Sequence, residues 1–184
     1  MNISWRQFIV NLIKFMGSMM NIKEVLDELF SQPSALGNTS YQIKPPMLLS
    51  DGLAQIYQAW ELTGIYLLLE YQEGSDWNVA LEQASGELLY VGKTQKNLCE
   101  RIKSHFGMKN LTIKTCENHR WHSVPSISDE LKNRLSQGKV VIYPVECISD
   151  NLSAKALLPE LVEKQLLVAF VLTHGHLPKL NLQF

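Results

Sequence analysis

The sequence predicts an α/β fold: a small three-stranded, mainly antiparallel sheet flanked by helices, preceded by a helical N-terminal extension. Three observations carry the prediction. GIYLLLEY (64–71), ELLYVG (87–92) and KVVIYPVECI (139–148) are short runs rich in β-branched and aromatic residues. Stretches 97–106 and 153–172 place apolar residues at helical spacing between and after those runs. The chain of 184 residues is 46% hydrophobic and 19% charged, enough to bury one core and carry an appended segment.

Taken in order, the first twenty residues set Ile3, Phe8, Leu12 and Phe15 near helical spacing. Three readings stand for them: a helix packed on the domain or a partner, an upstream start codon with the natural chain beginning at Met20, and, through Arg6 and Lys14, contact with a membrane surface. Asn21 followed by Glu24 resembles a capping box opening a helix through Phe30. SQPSALGNTS (31–40) and the proline pair at 45 and 46 read as loop. Ser50 and Asp51 cap a short helix whose face is Leu53, Ile56, Tyr57 and Trp60. The extension is therefore placed at 1–62 and the second unit at 63–184. Strands 64–71 and 87–92 pair as a hairpin across a connection long enough to carry a flap or extra strand turns, and Gly92 is read as a turn. Asn97 opens a helix that buries Leu98, Ile102 and Phe106. The last helix ends at Gly175, a left-handed cap.

Charge is unevenly spread. Ten Lys or Arg and only four acids lie between Tyr90 and Val140, so that stretch carries +6 and the remainder −7 against a net −1. A basic central third suits either a phosphate-bearing partner or a solvated face. Three widely spaced cysteines, Cys99, Cys116 and Cys147, argue against a disulfide framework and for a reducing, cytoplasmic setting. No apolar run reaches the length of about eighteen residues that a membrane span needs. Cys116, His119 and His122 lack the spacing of a standard zinc site even with Cys99 added, and His174 and His176 read as structural.

Two positions ask for chemistry. Arg101 and His105 are four apart on one helix face, beside the apolar stripe, where a guanidinium grips a phosphate or pairs with a nearby acid. Glu163 falls inside the stripe formed by Val162, Leu166, Leu167 and Phe170. A carboxylate there costs stability unless it ligates a metal or pairs with Arg101 or a lysine. Glu160, one turn earlier, lies toward solvent with Lys164 available to it.

GIY at 64–66, YVG at 90–92, Arg101 and His105, then Glu163, then Pro178 and Asn181 resemble, in that order, the motifs of the GIY-YIG nuclease superfamily. The resemblance covers residues 63–182, with a longer gap between the two tripeptides than in the smallest members. It implies metal-dependent hydrolysis of DNA phosphodiester bonds, with Tyr66, Tyr90, Lys93, Arg101, His105, Glu163 and Asn181 as the catalytic set. Tyr90 would be the general base, Lys93 the cation that lowers its pKa, and Arg101 the clamp on the scissile phosphate. Glu163 would hold Mg2+ (or Mn2+), Tyr66 and His105 would orient water or assist proton transfer, and Asn181 would tie the site to the C-terminal end.

Lys96, Lys103, Lys109, Lys114, Arg120 and Trp121 would contact double-stranded DNA, the last two as an arginine beside a stacking ring. With no zinc finger or helix-turn-helix after the core, recognition would come from the extension and the insertions, as in type II-like restriction endonucleases of the superfamily. A homodimer would suit a palindromic target. Repair or mobile-element nucleases, and a non-catalytic nucleic-acid-binding protein on this scaffold, are the alternatives.

Overall fold

A computed structural model describes residues 21–31, 37–49, 63–71, 74, 76, 78–84, 86–95, 98, 101, 129, 133 and 139–182. The elements are α1 (Ile22–Ser31), β1 (Thr39–Ile43), β2 (Met47–Leu48), β3 (Gly64–Glu70), β4 (Glu87–Thr94), β5 (Val140–Ser149) and α2 (Leu152–His174). The strands form one antiparallel sheet in the order β1-β5-β3-β4, with β2 also on β5. The α/β class and the flanking helices follow the sequence reading. The strand count does not, since the described residues form five strands where three were expected.

The two unexpected strands come from the stretch read as loop. TSYQI alternates between half-buried and exposed residues and pairs with β5 from Thr39↔Ser149 to Ile43↔Val145. Met47 and Leu48 then pair with Ile142 and Val141, on the same side of β5. Lys44 N donates to Pro144 O at 2.8 Å, and Pro45 and Pro46, which have no N–H to give, interrupt the ladder before it resumes. One edge strand is split in two by its prolines. Both halves lie within the predicted extension of residues 1–62, yet they share the sheet of residues 64–149.

One face of the sheet is covered by helices. Ile65, Leu67, Val91, Val141, Tyr143 and Val145 pack with Leu158, Val162, Leu166 and Phe170 of α2 and with Val25 and Leu26 of α1. Burying a side chain such as Leu26, which is wholly enclosed, contributes about 1.5–3 kcal/mol. Asn21 Oδ1 caps α1 by accepting from Lys23 N (3.0 Å) and Glu24 N (3.4 Å). Asp27 of α1 pairs with Lys23 at 2.6 Å and accepts from the hydroxyl of Tyr41, which anchors the helix to β1.

Asn151 Oδ1 accepts from Ser153 N (2.9 Å) and Ala154 N (3.2 Å) at the start of α2. Gly175 ends it at φ 77°, donating to Val171 O, as expected. Pro159 sits inside this helix without ending it. The long β3–β4 connection contains a single 3-10 turn (Leu81–Gln83) and no strand among the described residues, and Tyr143 donates to Val79 O at 3.2 Å to hold it on the sheet. Gly92 is not a turn, because β4 runs through it to Thr94. Leu98 and Arg101 are helical; the rest of the predicted 97–106 helix, His105 included, lies outside the described residues, as do the first twenty residues and the 52–60 helix. No described helix is long and apolar enough to cross a membrane.

Candidate active site

The register of the central hairpin sets Tyr66 opposite Gly92 and Leu68 opposite Tyr90. Side chains of paired residues share a face, so both tyrosines rise on the same side of the sheet. Their ring centroids are 5.7 Å apart at 45°. Gly92 makes this possible: a Cβ there would lie 2.5 Å from Tyr66 Cζ and 2.5 Å from Tyr90 Cε1. The ladder also slips beside Tyr90, with Leu69 paired to Leu88 so that Leu89 is an extra residue. Such a bulge re-aims the side chains next to it.

Lys93 is opposite Ile65, on the face covered by α2. Its Nζ lies 3.3 Å from Glu163 Oε2 and 3.4 Å from Glu160 Oε2. Glu160 is held in turn by Lys164 at 3.2 Å. β4 is an edge strand, so groups from both faces meet around its rim. A cleft of about 250 Å³ forms there, lined among others by Tyr90, Lys93, Arg101, Glu160, Glu163 and Asn181. Tyr66 is fully buried against Tyr90, behind the cleft.

The C-terminal segment closes the rim. Asn181 Oδ1 accepts from Val91 N (2.9 Å), and its Nδ2 donates to Val91 O (2.8 Å). Leu180 N donates to Leu89 O at 2.9 Å. The primary amide thus mimics a neighbouring strand's backbone, satisfying both polar groups of the residue between Tyr90 and Gly92.

Burial pushes the Tyr66 hydroxyl well above its ordinary value of 10.0, and the neighbouring Tyr90 adds to this against the opposing Arg101. Tyr66 is therefore a protonated hydroxyl at any working pH. Burial also raises Glu163, an effect that Lys93 and Arg101 offset only in part. Glu160, exposed and hydrogen-bonded to Lys164 and Lys93, is lowered. Arg101 is half-buried, and its Nε finds no hydrogen-bond partner among the described residues. An oxyanion entering the cleft would satisfy it.

The donor set fits a hard divalent cation. Two glutamate oxygens converge on one ammonium, which marks a position where positive charge is stabilised. No group of three or more metal-ligating side chains occurs among the described residues. The Glu160 and Glu163 pair suits an ion held through one or two carboxylates, with water and phosphate oxygens as its other ligands.

The cleft gathers Tyr90, Lys93, Arg101, Glu163 and Asn181 from the predicted set, with Tyr66 behind it. His105 and the predicted DNA-contacting Lys96, Lys103, Lys109, Lys114, Arg120 and Trp121 lie outside the described residues. Glu160 was read as a solvent-side partner of Lys164, and that pair is present. Its second bond, to Lys93, was missed, although its i, i+3 spacing from Glu163 on one helix was the signal.

The family model of the GIY-YIG catalytic domain matches residues 64–143. Over those residues the chain is similar to GIY-YIG catalytic domains. No curated protein and no solved structure matches it. The GIY-YIG domain is that of nucleases, which act on DNA and in general use divalent metal ions. Its two signature tripeptides are the paired strands of the central hairpin, and packing accounts for their glycines. Gly92 clears the two tyrosine rings, and Gly64 lies where a Cβ would meet Val145 O at 2.0 Å. Glu163 and Asn181 fall after the matched residues, and the tertiary structure returns both to the hairpin.

Proposed function

We propose that this protein is a divalent-metal-dependent endonuclease of double-stranded DNA, of the type II-like restriction kind. The observation that carries the reading is the convergence of Tyr90, Lys93, Arg101 and Glu163, from three separate elements, on one solvent-accessible cleft. A packed core requires no such meeting of a phenol, two cations and a half-buried acid. A non-catalytic binder has no use for a carboxylate that repels phosphate.

In this reading Arg101 clamps two oxygens of the scissile phosphate with its fork of donors. Tyr90, at the rim, takes the proton from the attacking water, and Lys93 supplies positive charge close by. Tyr66 keeps its proton and serves as a fixed hydroxyl behind Tyr90, while His105 orients water. Asn181 holds Val91, and so the flanking Tyr90 and Gly92, in place. Glu163, with Glu160 beside it, would hold Mg2+ or Mn2+, which supplies Lewis-acid neutralisation of the phosphate and the leaving oxygen when bound.

Lys96, Lys103, Lys109, Lys114, Arg120 and Trp121 supply the track for the duplex, and a homodimer would match a palindromic site. The restriction reading is supported by the N-terminal strands, which merge with the nuclease sheet and so can carry recognition rigidly. A DNA nuclease with three widely spaced cysteines suits a reducing cytoplasm.

Incubation with plasmid and phage DNA, with and without Mg2+, tests this. Discrete fragments in Mg2+ alone support a restriction enzyme, and Glu163→Ala should bind DNA in gel shifts but cut nothing. Cutting confined to damaged or branched DNA would favour a repair nuclease, and shifts without any cutting would sink the enzymatic reading.

A further inference from the structure

We infer that Lys93 is the resident cation of the Glu163 carboxylate, positioned there by Glu160, and that its displacement couples divalent-metal loading to capture of a DNA phosphate. The inference rests on the nuclease reading above.

The Lys93 ammonium stands 3.3 Å from Glu163 Oε2 and 3.4 Å from Glu160 Oε2, so it occupies the place where two carboxylates meet. The two lysines of this cluster differ in depth. Lys93 is 28% exposed, whereas Lys164, on the far side of Glu160, is 57% exposed and makes no bond to Glu163. Lys93 is therefore the inner cation and Lys164 the outer one.

A divalent ion approaching Glu163 meets the ammonium on the oxygen it needs. Two cations at ion-pair distance from one carboxylate oxygen repel each other strongly in a half-buried site. The ammonium must then give up Glu163. Glu160 keeps it from swinging into solvent, which makes Glu160 a positioning residue. The stronger attraction is a phosphate seated in the same cleft, where Arg101 Nε is buried without a hydrogen-bond partner among the described residues. Lys93 moved onto that phosphate leaves Glu163 open, so each ligand favours entry of the other. Thermodynamic linkage makes the effect reciprocal. The protein without DNA then holds its metal weakly, which limits cutting to an assembled complex.

Calorimetric titration with Mn2+ in the absence of DNA tests the first half. Lys93→Met should tighten Mn2+ binding by about tenfold, while Lys164→Met, which removes the same charge from the outer side, should change it by less than about twofold. Unchanged or weaker binding by Lys93→Met overturns the inference. Equal tightening by both variants overturns it too, since general charge would then be the cause. Lys93→Gln provides a second replacement if the thioether disturbs packing, and thermal melts report the fold of each variant.

Fluorescence anisotropy of a labelled random-sequence duplex tests the coupling, in a Tyr90→Phe background so that the probe stays intact. Mn2+ should raise duplex affinity several-fold when Lys93 is present and give no gain in Lys93→Met. No gain with Lys93 in place refutes the coupling. A parent protein that binds neither Mn2+ nor duplex overturns the nuclease reading itself, which separates that failure from failure of the inference.

Discussion

Gly92 shows how much one missing atom decides. Both tyrosine rings lean over its Cα, so Gly92→Ala must push Tyr66, Tyr90 or both aside, at about 1–3 kcal/mol. Urea melts should show that loss, and DNA nicking should fall with it because the displaced group is the proposed base. An alanine variant with parental stability and activity would refute the close packing. Glu163 poses the opposite case, a residue that costs stability. Burial raises its folded carboxyl above the ordinary value of 4.5, so the folded chain holds that proton more tightly than the unfolded chain. The contribution to stability is present below about 4.5 and is lost as pH rises through the folded value. Glu163→Gln in metal-free protein should therefore melt higher than the parent at pH 8, with the gap closing toward pH 4. A gap that is constant with pH, or reversed at pH 8, would contradict this. The buried acid is kept at a cost that a bound cation would offset.

Among the elements, β4 depends on a partner that is not a strand. Its inner edge pairs with β3, while its outer edge gives Leu89 O to Leu180 and both polar groups of Val91 to Asn181. Asn181→Ala would orphan a buried N–H and a buried C=O at once, costing about 1–3 kcal/mol for each group. The Val91 amide should lose hydrogen-exchange protection, and cleavage should drop because Tyr90 and Gly92 flank the loosened residue. Asn181→Asp should restore little, since a carboxylate keeps the acceptor for Val91 N but has nothing to donate to Val91 O. Retained protection at Val91 in the alanine variant would show that Leu180 alone secures the edge.

At the scale of the molecule, the sheet crosses the boundary that the sequence suggests near residue 62. β1 and β2 cover the outer edge of β5, and Val25 and Leu26 of α1 belong to the core under α2. A chain beginning at residue 63 would expose that edge and open that core together. It should be unfolded or aggregated by circular dichroism and sedimentation, whereas a chain beginning at residue 21 should retain the sheet. A stable, monomeric 63–184 chain would show that the N-terminal strands are an independent addition.

Local physical chemistry made much of this protein legible from sequence. β-branched runs set the three central strands, 3.6-residue spacing and the Gly175 cap set α2, and the fixed order of Gly64, Tyr66, Tyr90, Gly92, Arg101, Glu163 and Asn181 pointed to the nuclease superfamily. A charged residue inside an apolar stripe was visible without coordinates, because the cost of burying it is a property of the residue type. What required the tertiary structure was every long-range pairing. The edge strand at 39–48 looked like loop because its prolines break local pattern, and only β5, about a hundred residues later, supplies the hydrogen bonds that make it a strand. Gly92 looked like a turn because glycine permits one, until two rings arriving from different strands showed that the space beside it was what mattered. The same holds for Lys93, whose sequence neighbours are Gly92 and Thr94 but whose partners are two carboxylates on a helix some seventy residues away. Spacing along the chain reports what one element can do alone, and ion pairs between elements form only where the fold sets them side by side.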